Sequence, residues 1–133
     1  MYAPFKSNAS MYRNVGVHTG IEAAGPHQLV TMLFDGALAE IATARGELNN
    51  PDPARKCQSI SKAVRIVDEG LKAALDPQAG EIASNLGNLY AYVVARLTQG
   101  NLKNDDAALG ECAALIGQVR DGWVSMPPSA RAA

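Results

Sequence analysis

The chain has 133 residues, the size of one domain, and its 47% apolar and 19% charged content excludes a disordered polymer while leaving the surface less heavily charged than usual. Twelve basic against thirteen acidic residues give a net charge of -1 with no Lys/Arg cluster, which argues against nucleic acid and anionic lipid as partners. No run of about eighteen apolar residues occurs, and residues 1–20 combine neither a basic start nor a continuous apolar stretch, so no membrane insertion is expected and the compartment is expected to be the cytoplasm.

Residues 1–25 form a polar and aromatic leader, expected to be partly flexible or to dock on the rest. Tyr2, Phe5 and Tyr12 lie in its first twelve residues, although disordered tails usually lack aromatics. The first helical segment is predicted over 26–49, where Val30, Phe34, Ala37, Ile41, Ala44 and Leu48 are spaced 4, 3, 4, 3, 4 and share one helix face. Gly25-Pro26 marks its start, because proline's fixed φ suits the first helical position and its missing N–H would be unpaired there. Asn49-Asn50-Pro51 marks its end.

The second segment, 52–75, carries Cys57, Ile60, Val64, Val67, Leu71 and Ala74 on one stripe and closes at Asp76-Pro77, since the residue before proline is pushed out of the helical region. The third, 80–101, carries Ile82, Leu86, Leu89, Val93 and Leu97, with Glu81 in the first turn where the helix dipole favours negative charge. The fourth, 104–126, carries Leu109, Cys112, Ile116, Val119 and Trp123, with Asn104, Asp105 and Asp106 as cap and first-turn acids. Residues 127–133 are expected to be a disordered tail. With no period-2 strand pattern and only short connections, the fold class is all-α, an antiparallel up-and-down four-helix bundle spanning 26–126.

One stripe per helix satisfies such a core, so apolar residues off the stripe are informative. Leu89-Tyr90-Ala91-Tyr92-Val93-Val94-Ala95 covers the whole circumference of its helix, and Leu86, Tyr90, Val94 and Leu97 make a second row. Ala63, Ile66, Gly70 and Ala73 form a small-residue row, and Met32 and Leu33 add to the surplus. Two readings stand at this point: a central, deeply buried helix, or a surface groove that receives an amphipathic helix from a partner. Gly36, Gly46, Gly70, Gly87, Gly110, Gly117 and Gly122 fall inside the predicted helices, where each costs about 0.5–1 kcal/mol relative to alanine, and they favour the groove. The expected contacts are Met32, Leu33, Ile66, Leu86, Tyr90 and Val94, with the leader folding back over part of the groove until a partner displaces it.

Reactive chemistry is sparse. His18 lies in the leader and His27 in the first turn of the first segment, with no spacing that plants two metal ligands on one face. Cys57 and Cys112 each sit inside an apolar pattern and are expected to be reduced core thiols. Neither a phosphate-binding glycine loop nor a cysteine–histidine motif is present, so no enzyme, metal or cofactor is expected. The rivals are a histidine phosphotransfer bundle, which wants a solvated mid-helix histidine unlike His27, and a self-associating helical adaptor that buries its surplus in a homodimer.

Pro26-His27-Gln28-Leu29-Val30 followed by Met32-Leu33-Phe34-Asp35-Gly36-Ala37 resembles the first-helix signature of the flagellin export chaperone family (FliS). Ser61-Lys62-Ala63 with the stretch 66–76, then 80–86, Leu89-Tyr90, Tyr92 and 101–105, resemble that family's second helix, third helix and following turn, in one register over about residues 1 to 124. Gly25 stands where many relatives have serine, Ala79 replaces the first of two glycines, and Ala91 replaces a frequent acidic residue. The resemblance implies a cytosolic chaperone, without cofactor, that binds the disordered C-terminal segment of flagellin as helices on apolar grooves. It implies further that this blocks premature filament assembly and that the flagellin is delivered to the flagellar type III export gate.

Overall fold

The computed structural model describes residues 25–127. The leader aromatics Tyr2, Phe5 and Tyr12, and the tail beyond Pro127, lie outside the described residues. Four α-helices form an up-and-down bundle without strands among the described residues: α1 Pro26–Gly46, α2 Ala54–Arg65, α3 Glu81–Lys103 and α4 Asp106–Val124. α1 packs against α2 and α4, and α3 closes the square against both.

Local chemistry sets each boundary. Pro26 opens α1 after an extended Gly25, and α1 stops at Gly46, three residues before the expected Asn49, where Glu47 and Leu48 return their N–H groups to Ala44 and Arg45 carbonyls. The connection to α2 is a chain of side-chain turns: Asn50 accepts from the Asp52 N–H and Asp52 accepts from the Ala54 N–H, each at 3.0 Å. α2 therefore begins after Pro53, and at its far end it widens into a π turn, Ile66–Leu71. Asp76 then accepts from the Gln78 N–H to hold a 3-10 turn, Pro77–Ala79, and Gly80 turns the chain into α3 with φ +64°, a conformation glycine adopts without penalty.

α3 runs two residues past the expected Asn101 because Asn104, at φ 54°, supplies its left-handed C-cap. Asn104 thus caps the helix before it, while Asp105 caps α4 by accepting from the Ala107 and Ala108 N–H groups. This end of the bundle is closed by polar bonds. The Lys56 ammonium, 7% exposed, donates to the Asn101 carbonyl (3.1 Å) and to Asn104 Oδ1 (2.9 Å), and Asn104 Nδ2 donates to the Leu48 carbonyl (2.8 Å).

The core joins Phe34, Ile41, Ile60, Val67, Leu71, Val93, Leu97, Leu109, Cys112 and Ile116. These belong to the stripes expected from spacing, but α2 departs from its pattern: Ala63 is fully buried and Val64 only half-buried. Close approach explains part of the glycine content. A Cβ on Gly100 would stand 2.9 Å from Leu109 Cδ2, and one on Gly70 would stand 3.3 Å from Leu33 Cδ2. Gly46, Gly117 and Gly122 have open space where a Cβ would stand.

Candidate functional site

Among the described residues the opposite end of the bundle is open. α1 enters it with Val30 and Phe34, the segment after the π turn with Leu71, Ala74 and Leu75, α3 with Leu86 and Tyr90, and α4 with Val119, Gly122, Trp123 and Met126. Between them lies an almost wholly apolar cavity of about 210 Å³. That is smaller than a drug-sized site and suited to side chains.

Its rim is built by pairing the first turn of α1 with the last turn of α4. The Trp123 indole N–H donates to the His27 carbonyl at 2.9 Å, an oxygen that also accepts from the Thr31 hydroxyl. The His27 and Trp123 rings stack, with centroids 4.5 Å apart and planes 13° from parallel, and Phe34 leans on the indole at 6.5 Å. Outside the rim, Arg120 Nε donates to Asp35, tying α4 to α1. On the cavity's inner wall burial pushes the Tyr90 phenol up to about 12, so it stays neutral.

Of the six expected contacts, Leu86 and Tyr90 come together in this cavity. Leu33 and Ile66 form an interlock on the α1/α2 seam instead: Leu33 fills the space above Gly70, and Ile66 Cδ1 lies 3.4 Å from where a Gly36 Cβ would stand. Met32 and Val94 are half-buried, Val94 against the core, and line no part of the cavity. Leu33, 6% exposed, and Tyr90, 2% exposed, are packed into the core, Tyr90 lining the cavity from within. Of the small-residue row, Ala63 and Gly70 are buried, with Leu33 of α1 lying over Gly70, whereas Ile66 is half-buried and Ala73 exposed.

Most of the remaining cavity residues were legible only as core, while Leu75, Gly122 and Met126 fall on no expected stripe. Val30, Phe34, Leu71, Val119 and Trp123 sit on regular stripes, and only their place at an open end turns them into a wall. A sequence signal existed in the single tryptophan near the end of the last helix, which an antiparallel topology sets beside the first turn of the first.

Among the described residues the large exposed hydrophobics are Ile82, Tyr92 and Leu102, while Ile66, Leu86 and Val94 are half-buried against the core. Tyr92 spans the α3/α4 seam, donating its hydroxyl to Glu111, which also accepts from Arg96 Nε at 2.7 Å. The Arg96 guanidinium, then the Tyr92 hydroxyl, hold the Glu111 carboxyl below its ordinary range. Among the described residues no three His, Cys, Asp or Glu side chains gather as metal ligands, and no helix is long and apolar enough to cross a membrane. Cys57 and Cys112 are free thiols.

The lining of this site offers burial and dispersion, so the class of protein it defines is a helical bundle with an apolar cavity at one end. A family model described as flagellar protein FliS matches residues 8–130. The flagellar secretion chaperone FliS of Salmonella typhimurium is 42% identical over 125 residues, 93% of either chain. That of Escherichia coli is 40% identical over 124 residues, 92% of this chain and 90% of the relative. The flagellar secretion chaperone FliSB of Pseudomonas aeruginosa is 39% identical over 113 residues, 84% of this chain and 89% of the relative. The chain belongs to the FliS family of flagellar secretion chaperones.

Proposed function

We propose that this chaperone acts in the cytoplasm, without catalysis or cofactor, by binding the disordered C-terminal segment of flagellin in stoichiometric complex. The segment folds as helices whose apolar side chains enter the cavity and the half-buried seams beside it. Sequestered in this way, flagellin cannot polymerise prematurely and is delivered to the flagellar export gate. The observation that carries the reading is the apolar cavity open at one end of the bundle, in a chain of this family. Ordering a disordered segment costs about 2–5 kcal/mol, which burial of apolar side chains must exceed.

The expected contacts are Leu86 and Tyr90 within the cavity and Met32, Ile66 and Val94 on the seams, with Leu33 supporting the α1/α2 seam from within. The leader, through Tyr2, Phe5 and Tyr12, is proposed to cover the cavity until flagellin displaces it. Deleting residues 1–16 should then tighten flagellin binding, and unchanged affinity would remove the leader from the account.

Gly122 provides the decisive variant, because it lines the cavity and a Cβ there meets nothing within 4 Å. Gly122→Leu should fill the cavity, hold or raise the melting temperature, and weaken calorimetric binding of the organism's own flagellin C-terminal segment by about tenfold or more, the scale of a lost apolar subsite. Full affinity in the folded variant would place the binding surface elsewhere.

A further inference from the structure

α2 and the turn that continues it contain one residue more than plain helical winding requires. In the π turn the Lys72 N–H donates five residues back to the Val67 carbonyl at 2.9 Å. By Ala74 the winding has tightened again, its N–H reaching the carbonyls of Gly70 (3.1 Å) and Leu71 (3.2 Å). Such turns are rare, mostly single, and frequent at functional sites. This one lies one turn from its helix end, and the residues it delivers, Leu71, Ala74 and Leu75, are one wall of the cavity.

An inserted residue can leave a helix by the nearer end. Relaxation to α winding would rotate everything beyond the insertion by about 100°. The positions now held by Leu71 and Leu75 would pass to Gly70 and Ala74, and the cavity would widen by the difference between two leucines and a glycine and an alanine. Neither register drives a charge into the cavity, since every one of these four positions is apolar or glycine. The moving piece is short, with turn residues 72–74 leading to the 3-10 turn and the positive φ of Gly80, where the chain already bends sharply.

The observed register is held by the seating of Leu33 over Gly70. In the other register Glu69, now bonded to Arg65 Nε at 3.2 Å, would take the buried place of Gly70 against Leu33, and Leu71 would leave the core for the exposed place of Lys72. That trade disfavours the wide state while the cavity is unfilled, and a side chain entering the cavity reverses it.

We infer that the π turn is a register switch setting the width of the cavity: Leu71 and Leu75 form a narrow wall in the free protein, and Gly70 and Ala74 replace them when a large apolar side chain of a client helix enters. The client's identity rests on the proposed function; the switch does not.

Relaxation-dispersion NMR on the full chain tests it directly. Amides from Gly70 to Leu75 should exchange together on the microsecond to millisecond scale. Saturation with the flagellin C-terminal segment should move the Cα shifts of 67–71 toward plain α-helical values. Absence of exchange in the free chain, or unchanged shifts in the complex, overturns the switch. Exchange in a chain that binds no flagellin segment sinks the client assignment and keeps the switch.

A variant lacking Asp68 removes the insertion and fixes the narrow wall. It should bind the segment about tenfold more weakly than the unaltered chain, and adding Leu75→Ala should restore most of the loss. A folded deletion variant that binds at full strength overturns the proposal, and if the deletion prevents folding the dispersion experiment decides alone.

Discussion

Trp123 and His27, 96 residues apart in the chain, hold one another twice: their rings stack at 4.5 Å, and the indole N–H donates to the histidine's own carbonyl at 2.9 Å. The last turn of α4 is thereby fastened to the first turn of α1 at the lip of the cavity. Trp123→Ala should lower stability by about 3 kcal/mol, the lower end for a large aromatic because the indole is only half-buried. Trp123→Phe, which keeps a ring and loses the hydrogen bond, should lose about 1 kcal/mol. Urea unfolding of the two variants separates packing from the hydrogen bond.

Gly117 lies inside α4 with open space around its Cβ position and outside the cavity. Gly117→Ala should therefore gain about 0.5–1 kcal/mol in chemical denaturation and leave flagellin affinity untouched. Paired with Gly122→Leu it distinguishes a change of helix stability from a change of the site.

Gly100 behaves in the opposite sense. A Cβ there would meet Leu109 Cδ2 at 2.9 Å and Ala108 Cβ at 3.3 Å, where α3 and α4 approach each other. Gly100→Val should force these helices apart and lose about 1–3 kcal/mol, visible as a lower melting temperature.

Asn104 serves α3 with its backbone, and with its side chain it joins Lys56 of α2 to the connection after α1. Asn104→Gly keeps the left-handed conformation but strips Lys56 of one acceptor in a site only 7% exposed, a loss of about 1–3 kcal/mol. Asn104→Ala adds the backbone penalty and should be the less stable of the two in thermal melts.

Burial, and secondarily Glu111, push the Cys112 thiol from 9.0 up to about 11. A thiol is neutral when protonated, so the folded state retains its proton to higher pH than the unfolded state. The associated stability is complete below about pH 9 and is lost as pH rises from there through about 11. Thermal melts across that window should show the decline, and Cys112→Ala should flatten it while lowering stability at neutral pH. In the native protein Cys112 should resist thiol reagents that reach the half-buried Cys57.

The bundle was legible because its apolar residues keep helical spacing: Phe34, Ala37, Ile41 and Ala44 fall inward as the pattern demands. Leu33 was not legible as core, since its burial depends on Gly70, 37 residues away, having no side chain. Tyr90 reads as surplus on a helix apolar all round, and which of its rows turns inward is decided by the neighbours. The π turn left no mark on the spacing of Ile60, Val64, Val67, Leu71 and Ala74, which plain α winding satisfies equally well. The cavity was hidden for a simpler reason: its walls are ordinary core residues, and an end of a bundle has no sequence signature.

The polar knot of Lys56, Asn101 and Asn104 seals one end of the described bundle, and the apolar cavity lies at the other. Resistance to digestion should be graded accordingly, with the stretch around the 3-10 turn yielding to protease before the knotted end. Because a ligand that binds only the folded state stabilises it by mass action, an occupied chaperone should outlive an empty one. Its cellular half-life would then report how much undelivered cargo remains.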